Sequence, residues 1–229
     1  MERAAETRTK ALRALETCGL GGSYDYAVAL HNLAALRVEE GHYEACEQAC
    51  EDAIKVCAKT VGLKHRLYPD ILRTLAVAHK RGGDTRRGAQ VLEQALRLYE
   101  GALGDSHPDF VKCLYEVGVL YARLGDCEKA KTMLTRLVAV CRRTEGGKSR
   151  AYARALCTLA ALYRQMRAFD KAEPAYREAL AVVAALPDGG TSDRRKIALD
   201  YAKMLRLQGR TEEAAEIEQS QGQATDTGA

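Results

Sequence analysis

The stretch LGDSHPDF, residues 103–110, sets His107 two positions from Asp105 and two from Asp109, residue types that could relay a proton. Cys46, Cys50 and Cys57, spaced by four and then seven, fall on one face of a helix, as thiolate ligands to a metal would. Neither set is complete. The thiolates lack a fourth ligand, and the five histidines, His31, His42, His65, His79 and His107, are dispersed along the chain. A Gly-rich phosphate loop, a His-Glu-x-x-His pair, a nucleophile elbow and a Cys-x-x-Cys pair are all missing from the sequence. The expectation is therefore a protein without catalytic residues, cofactor or metal.

What must position these residues is helix. The 229-residue chain is 47% apolar and 29% charged, with four Pro, two Phe and no Trp, so the β-branched and aromatic enrichment of strands is absent. A repeat of 42 residues runs through it. Small residues recur at Ala34, Ala76, Gly118, Ala160 and Ala202. Seven positions on stand Gly41, Gly83, Gly125, Arg167 as the exception, and Gly209; twelve on, Cys46, Gly88, Ala130, Ala172 and Ala214. Nineteen on come Ala53, Ala95, Leu137 and Ala179. Each unit reads as two amphipathic helices joined at the glycine, with small residues where the helices cross and Tyr43, Tyr121, Tyr163 and Phe169 filling the space around them. Two of the three clustered cysteines occupy such core columns, which makes packing their role.

On this register LGDSHPDF lies between the second helix of one repeat and the first helix of the next. It is punctuation: Gly104 ends a helix, Asp105 or Ser106 can cap the following one, and Pro108 suits a first helical turn, where its missing N–H costs nothing.

A small residue followed at seven, twelve and nineteen positions by Gly, Ala and Ala resembles the tetratricopeptide repeat. The longer spacing, with strings such as TLAALYRQMRAFDKAEPAYREALAV and LGDSHPDF, is similar to the repeats of kinesin light chains and related adaptors. The resemblance implies an all-α, right-handed superhelical solenoid of helix-turn-helix repeats. It spans residues 23–220 as five repeats; residues 1–20, where Ala4, Ala11 and Leu12 continue the second-helix columns, form a half-repeat that caps the N-terminus. The polar tail, 221–229, is expected to be disordered.

Number each first helix so that its small residue is position 8. Positions 4, 7, 8 and 11 then face the core, and positions 2, 5, 9, 12 and 13 lie about 140° away at 100° per residue. In tetratricopeptide proteins the latter line the concave surface, which implies a groove here containing Arg73, Val77, Lys80, Arg81, Lys112, Tyr115, Val119, Arg123, Arg154, Arg164, Lys196, Lys203 and Arg206. Asn32 joins them as the match to the asparagines that kinesin light chains carry at positions 5 and 6; Arg73-Thr74, Tyr115-Glu116, Cys157-Thr158 and Leu199-Asp200 depart from that pattern. Those five columns hold ten Lys or Arg against Glu39 and Asp70, whereas the chain as a whole holds 35 against 31. A basic groove concentrates anionic ligands. The expected partner is an acidic, aromatic-containing peptide segment held by the second to fourth repeats, with Val77, Val119 and Tyr115 as apolar pockets. Alternatives are a structural subunit of a larger assembly and a basic helical-repeat nucleic-acid binder. The groove columns, however, show no recurrent base-reading pair.

No apolar run approaches the roughly 18 residues of a membrane span, and the N-terminal MERAAETRTKALRALE has no apolar signal core. The expected setting is the cytoplasm, with the eight cysteines reduced. About twenty residues precede the repeats, too few for the long heptad coiled coil of kinesin light chains, so the expectation is a stand-alone adaptor or scaffold subunit.

Overall fold

A computed structural model describes residues 2–187 and 190–219, which form eleven helices and no strand. In chain order they are α1 (Glu2–Thr17), α2 (Tyr24–Glu40), α3 (Tyr43–Thr60), α4 (Leu67–Arg81), α5 (Thr85–Leu103), α6 (Pro108–Arg123), α7 (Cys127–Glu145), α8 (Arg150–Gln165), α9 (Phe169–Ala184), α10 (Thr191–Leu207) and α11 (Thr211–Gln219). They divide into two compact units, Met1–Leu120 and Tyr121–Ala229, the boundary falling within α6. The tail expected to be disordered, 221–229, lies outside the described residues, as do the side chains of Ala4 and Ala11.

In the first unit α2 folds back on α3 and α4 on α5. The small-residue columns are where these helices meet: Ala34, Cys46 and Ala53 are fully buried, and Ala76 and Ala95 nearly or fully so. Gly88 shows why size matters, because a Cβ there would lie 2.9 Å from the carbonyl oxygen of Ala76. Leu30, Leu72 and Leu114, all at position 4, are buried beside them. Each such side chain contributes roughly 1.5–3 kcal/mol when removed from water. Leu12 of α1 is buried in the same core.

The second unit repeats the arrangement. Ala160, Ala172, Ala179, Ala202 and Ala214 are fully buried, Leu156 and Leu159 are buried on α8, and Tyr176 of α9 stacks on Tyr201 of α10 with ring centroids 5.6 Å apart.

The turns within the hairpins share one hydrogen-bond frame. After α2, the Gly41 N–H donates to Val38 O at 3.2 Å and the His42 N–H to Arg37 O at 2.8 Å. The same pair of bonds recurs at Gly125 and Asp126, at Arg167 and Ala168, and at Gly209 and Arg210. This is the Schellman closure, which demands a left-handed residue. Gly41 has φ +82°, Gly125 +77° and Gly209 +78°; Arg167, with φ +58°, is the one non-glycine residue with positive φ among the described residues.

The entries to the first helices are also periodic. Ser23 Oγ accepts from the Tyr26 N–H at 3.2 Å and Ser149 Oγ from the Tyr152 N–H at 3.0 Å. At the equivalent positions between them, His65 Nδ1 accepts from the Leu67 N–H and His107 Nδ1 from the Asp109 N–H, both at 3.2 Å. Pro108 opens α6 as expected, but the capping acceptor is His107, not Asp105 or Ser106. Those two bond to each other instead, Ser106 Oγ donating to Asp105 at 3.2 Å. The imidazole nitrogen does here what a serine oxygen does one repeat later.

Candidate interaction face

The residues that suggested chemistry are structural. His107 spends its Nδ1 on the helix entry. Cys46, Cys50 and Cys57 point into the core of the first unit with no exposure, the first two sulfurs 3.9 Å apart, while Cys50 Sγ lies 3.9 Å from Ile71 O and Cys57 Sγ 3.9 Å from Gly62 O. Among the described residues no group of three or more His, Cys, Asp or Glu is placed to hold a metal ion.

The remaining candidates sit on the first helices, and repeat-to-repeat contacts fix how adjacent ones lie. In the first unit His31 Nε2 of α2 lies 2.9 Å from Thr74 Oγ1 of α4, and burial lowers the His31 pKa. Arg81 donates to Val38 O at 3.2 Å and pairs with Glu39 at 3.2 Å. Arg66, preceding α4, lies 3.4 Å from Asp109 of α6. In the second unit Gln165 donates to Ala122 O at 3.3 Å and Arg150 pairs with Asp193 at 2.6 Å. Apart from Arg81 and Glu39, which are 42 residues apart, each partner stands 43 residues from the other, one more than the repeat.

Charge on this face is less one-sided than the columns imply. Arg73 is half-buried; burial opposes its charge, but Tyr99, Glu116 and Asp70 more than offset this and hold its pKa above the ordinary value. The Tyr99 hydroxyl donates to the Asp70 carboxylate, so α5 also contributes to the network. Arg81 is neutralised by Glu39. Lys203 pairs with Asp200 at 3.0 Å, and Arg206 grips Glu218 of α11 through two bonds of 2.8 and 2.6 Å. Val77, Tyr115 and Val119 are half-buried, Val77 packed on the core; Asn32 is exposed.

Other cations on the face keep their charge unspent. Lys80 and Lys112 in the first unit, and Arg123, Arg164 and Lys196 in the second, have no ion-pair partner among the described residues. Arg154 is exposed on α8. Beside the second-unit cations, Leu199 and Leu207 of α10 are 42% and 52% exposed. Cys157 of α8 is buried, and its thiol is pushed up to about 12 by that burial.

The column reading missed Glu116 and Asp200. Both stand at position 6, one residue outside the chosen columns, and their side chains are long enough to reach in. It also missed the tyrosines of the second helices, Tyr99 and Tyr176, which approach this face from behind.

A family model described as tetratricopeptide repeat matches residues 25–101 and 110–185, more than half of the chain. The chain belongs to the tetratricopeptide repeat family. Solved structures of similar fold include BtubC (BKLC) from P. vanneervenii, with a TM-score of 0.78 at 18% identity over 100% of this chain and 92% of that one. A putative kinesin light chain from Podosopora anserina with nearly identical TPR-like repeats aligns with a TM-score of 0.72 at 20% identity, covering 88% of this chain and 96% of that one. MamA from Desulfovibrio magneticus RS-1 aligns at 0.62 and 17% identity, over 89% and 97%. At such identities the likeness is one of fold. No curated protein matches by sequence. Tetratricopeptide arrays are scaffolds for protein–protein interaction and generally non-catalytic, which places this chain among interaction proteins. Among the described residues no helix is long and apolar enough to cross a membrane.

Proposed function

We propose that this tetratricopeptide protein is a non-catalytic, cytoplasmic adaptor that holds an acidic segment of a partner protein on the first-helix face of its second unit, at α8 and α10. The observation that carries the reading is the imbalance of spent and unspent charge there. Asp193, Asp200 and Glu218 are committed to Arg150, Lys203 and Arg206 respectively, while Arg123, Arg164 and Lys196 have no acidic partner among the described residues. Carboxylates of a bound segment would supply the missing partners, and Leu199 and Leu207 offer apolar or aromatic residues of that segment a surface. Lys80 and Lys112 give the first unit a weaker version of the same chemistry, since Arg73 and Arg81 are already satisfied within it.

The test is calorimetric titration with a synthetic peptide of Asp and Glu containing one aromatic residue. Wild type should bind, and affinity should fall as salt rises, because exposed charges are screened within about 8–10 Å. Reversing Arg123 and Arg164 to Glu should abolish binding, whereas reversing Arg142 and Arg143, outside the groove columns, should leave it. Equal binding by all three proteins, or preference for a single-stranded RNA of equal charge, would sink the proposal.

A further inference from the structure

We infer that Arg164 alone sets most of the affinity of this face for a carboxylate, an inference that rests on the adaptor reading above. Arg164 stands at position 12 of α8, where the other first helices carry Val38, Lys80, Ala122 and Arg206. It is half-buried, and its Nε is sealed from solvent with no hydrogen-bond partner among the described residues. The Tyr176 hydroxyl on α9 is sealed as well. The two groups are neighbours: burial pushes the Tyr176 hydroxyl up to about 12, and the Arg164 guanidinium pulls the other way.

Buried polar groups in folded proteins are almost always hydrogen-bonded, and an unmade bond to a charged donor is costly. The described acids of α9 and α10 that form ion pairs do so with other cations. Asp200 is held by Lys203, Asp193 by Arg150, and Glu173 by Arg177 and Arg210. Arg164 has therefore surrendered water without gaining a counter-ion among the described residues. Arg123 and Lys196 are exposed, and a carboxylate meeting them trades hydration for an ion pair that water still screens. A carboxylate meeting the accessible part of Arg164 meets a charge already stripped of much of its solvent, where attraction is less screened and no further desolvation of the arginine is needed. Such partly desolvated arginines beside aromatic rings are the usual anchors of interfaces.

The experiment compares Arg164→Gln with Arg123→Gln, which remove the same charge from the same face. A fluorescein-labelled dodecapeptide of Glu and Asp with one Trp is the probe, read by anisotropy at low and at 0.5 M salt, roughly a Debye length of 4 Å. Arg164→Gln should weaken binding at least tenfold at both salt concentrations. Arg123→Gln should weaken it less than threefold, and only at low salt. Arg164→Lys, which keeps the charge without the planar fork, should recover part of the loss, and unchanged melting temperatures exclude unfolding as its cause. Equal losses for Arg164→Gln and Arg123→Gln overturn the inference while leaving the adaptor reading standing; failure of the wild type to bind the probe overturns both.

Discussion

Arg81 donates a hydrogen bond to the main-chain carbonyl of Val38, 43 residues earlier. Gln165 makes the same bond to Ala122. The acceptor in each case is a carbonyl in the last turn of a first helix, where the helix itself leaves carbonyls without a full set of donors. A position that the resemblance to tetratricopeptide repeats assigns to the concave groove is thus used, in both units, to join one repeat to the next.

Arg81→Gln should be nearly neutral for stability, because glutamine serves at Gln165. Arg81→Ala should cost about 0.5–1.5 kcal/mol. Urea denaturation of the two variants measures the difference, and an equal loss for both would show that the bond carries no weight.

The turn between α8 and α9 should be improvable. Arg167 holds a left-handed conformation that costs a non-glycine residue roughly 1–2 kcal/mol. Ala168, which follows, provides no side-chain cap for α9. At the equivalent sites Gly83-Asp84 and Gly125-Asp126 do both jobs: Asp84 accepts from the Arg87 N–H at 2.9 Å and Asp126 from the Lys129 N–H at 3.2 Å. Arg167→Gly with Ala168→Asp should stabilise the protein by about 1–2 kcal/mol, seen as a higher thermal midpoint.

His107→Ala should destabilise by about 1 kcal/mol through loss of the cap on α6, and His107→Ser should restore most of it, as Ser149 does for α8. Thermal denaturation distinguishes these outcomes from a catalytic role, for which serine would be no substitute.

Helix α11 buries little beyond Ala214 and is tied down by ion pairs: Glu218 to Arg206, and Glu213 and Glu173 to Arg210. Hydrogen bonds from these arginines hold all three carboxylates below their ordinary 4.5. Because the folded values are the lower ones, the stabilisation is complete above about pH 4.5 and is lost as pH falls through the folded values. Amide exchange in α11 should accelerate in that acid window before exchange in α8 does. The same helix should loosen in high salt at neutral pH, since the pairs are solvent-exposed.

Ala160→Arg and Ala172→Arg place a long cation where α8 and α9 cross, at side chains with no exposure. Each should cost more than about 3 kcal/mol. Soluble yield and thermal midpoint are the readouts, and unchanged stability in either variant would contradict the assignment of these columns to the core.

The 42-residue register was legible because close helix crossing tolerates only small side chains, so Ala34, Ala76, Gly118, Ala160 and Ala202 leave a periodic trace. The turn glycines were legible for a similar reason, and the exception at Arg167 proved to be a real left-handed arginine. The capping role of His107 was not, since imidazole is rarely the acceptor chosen over a neighbouring Asp or Ser. Nor was the neutralisation of Arg73. Fixed angular columns treat a helix face as sharp-edged, whereas Glu116 reaches across that edge and Tyr99 arrives from another helix. Sequence position singled out a helix face but said little about which charges on it remain unspent.

The contacts at 43 residues within a 42-residue repeat have an evolutionary corollary. Arg66 with Asp109, and Arg150 with Asp193, are the same fastening separated by two repeats, and each half of the fastening belongs to a different repeat. Arg66 and Arg150 open the second and fourth repeats and Asp109 and Asp193 the third and fifth, so a gene segment encoding two successive repeats carries both halves of one fastening. Tandem duplication of such a two-repeat segment would deliver a new pair of repeats already fastened to each other, so the protein could lengthen in a single genetic event without first inventing that contact.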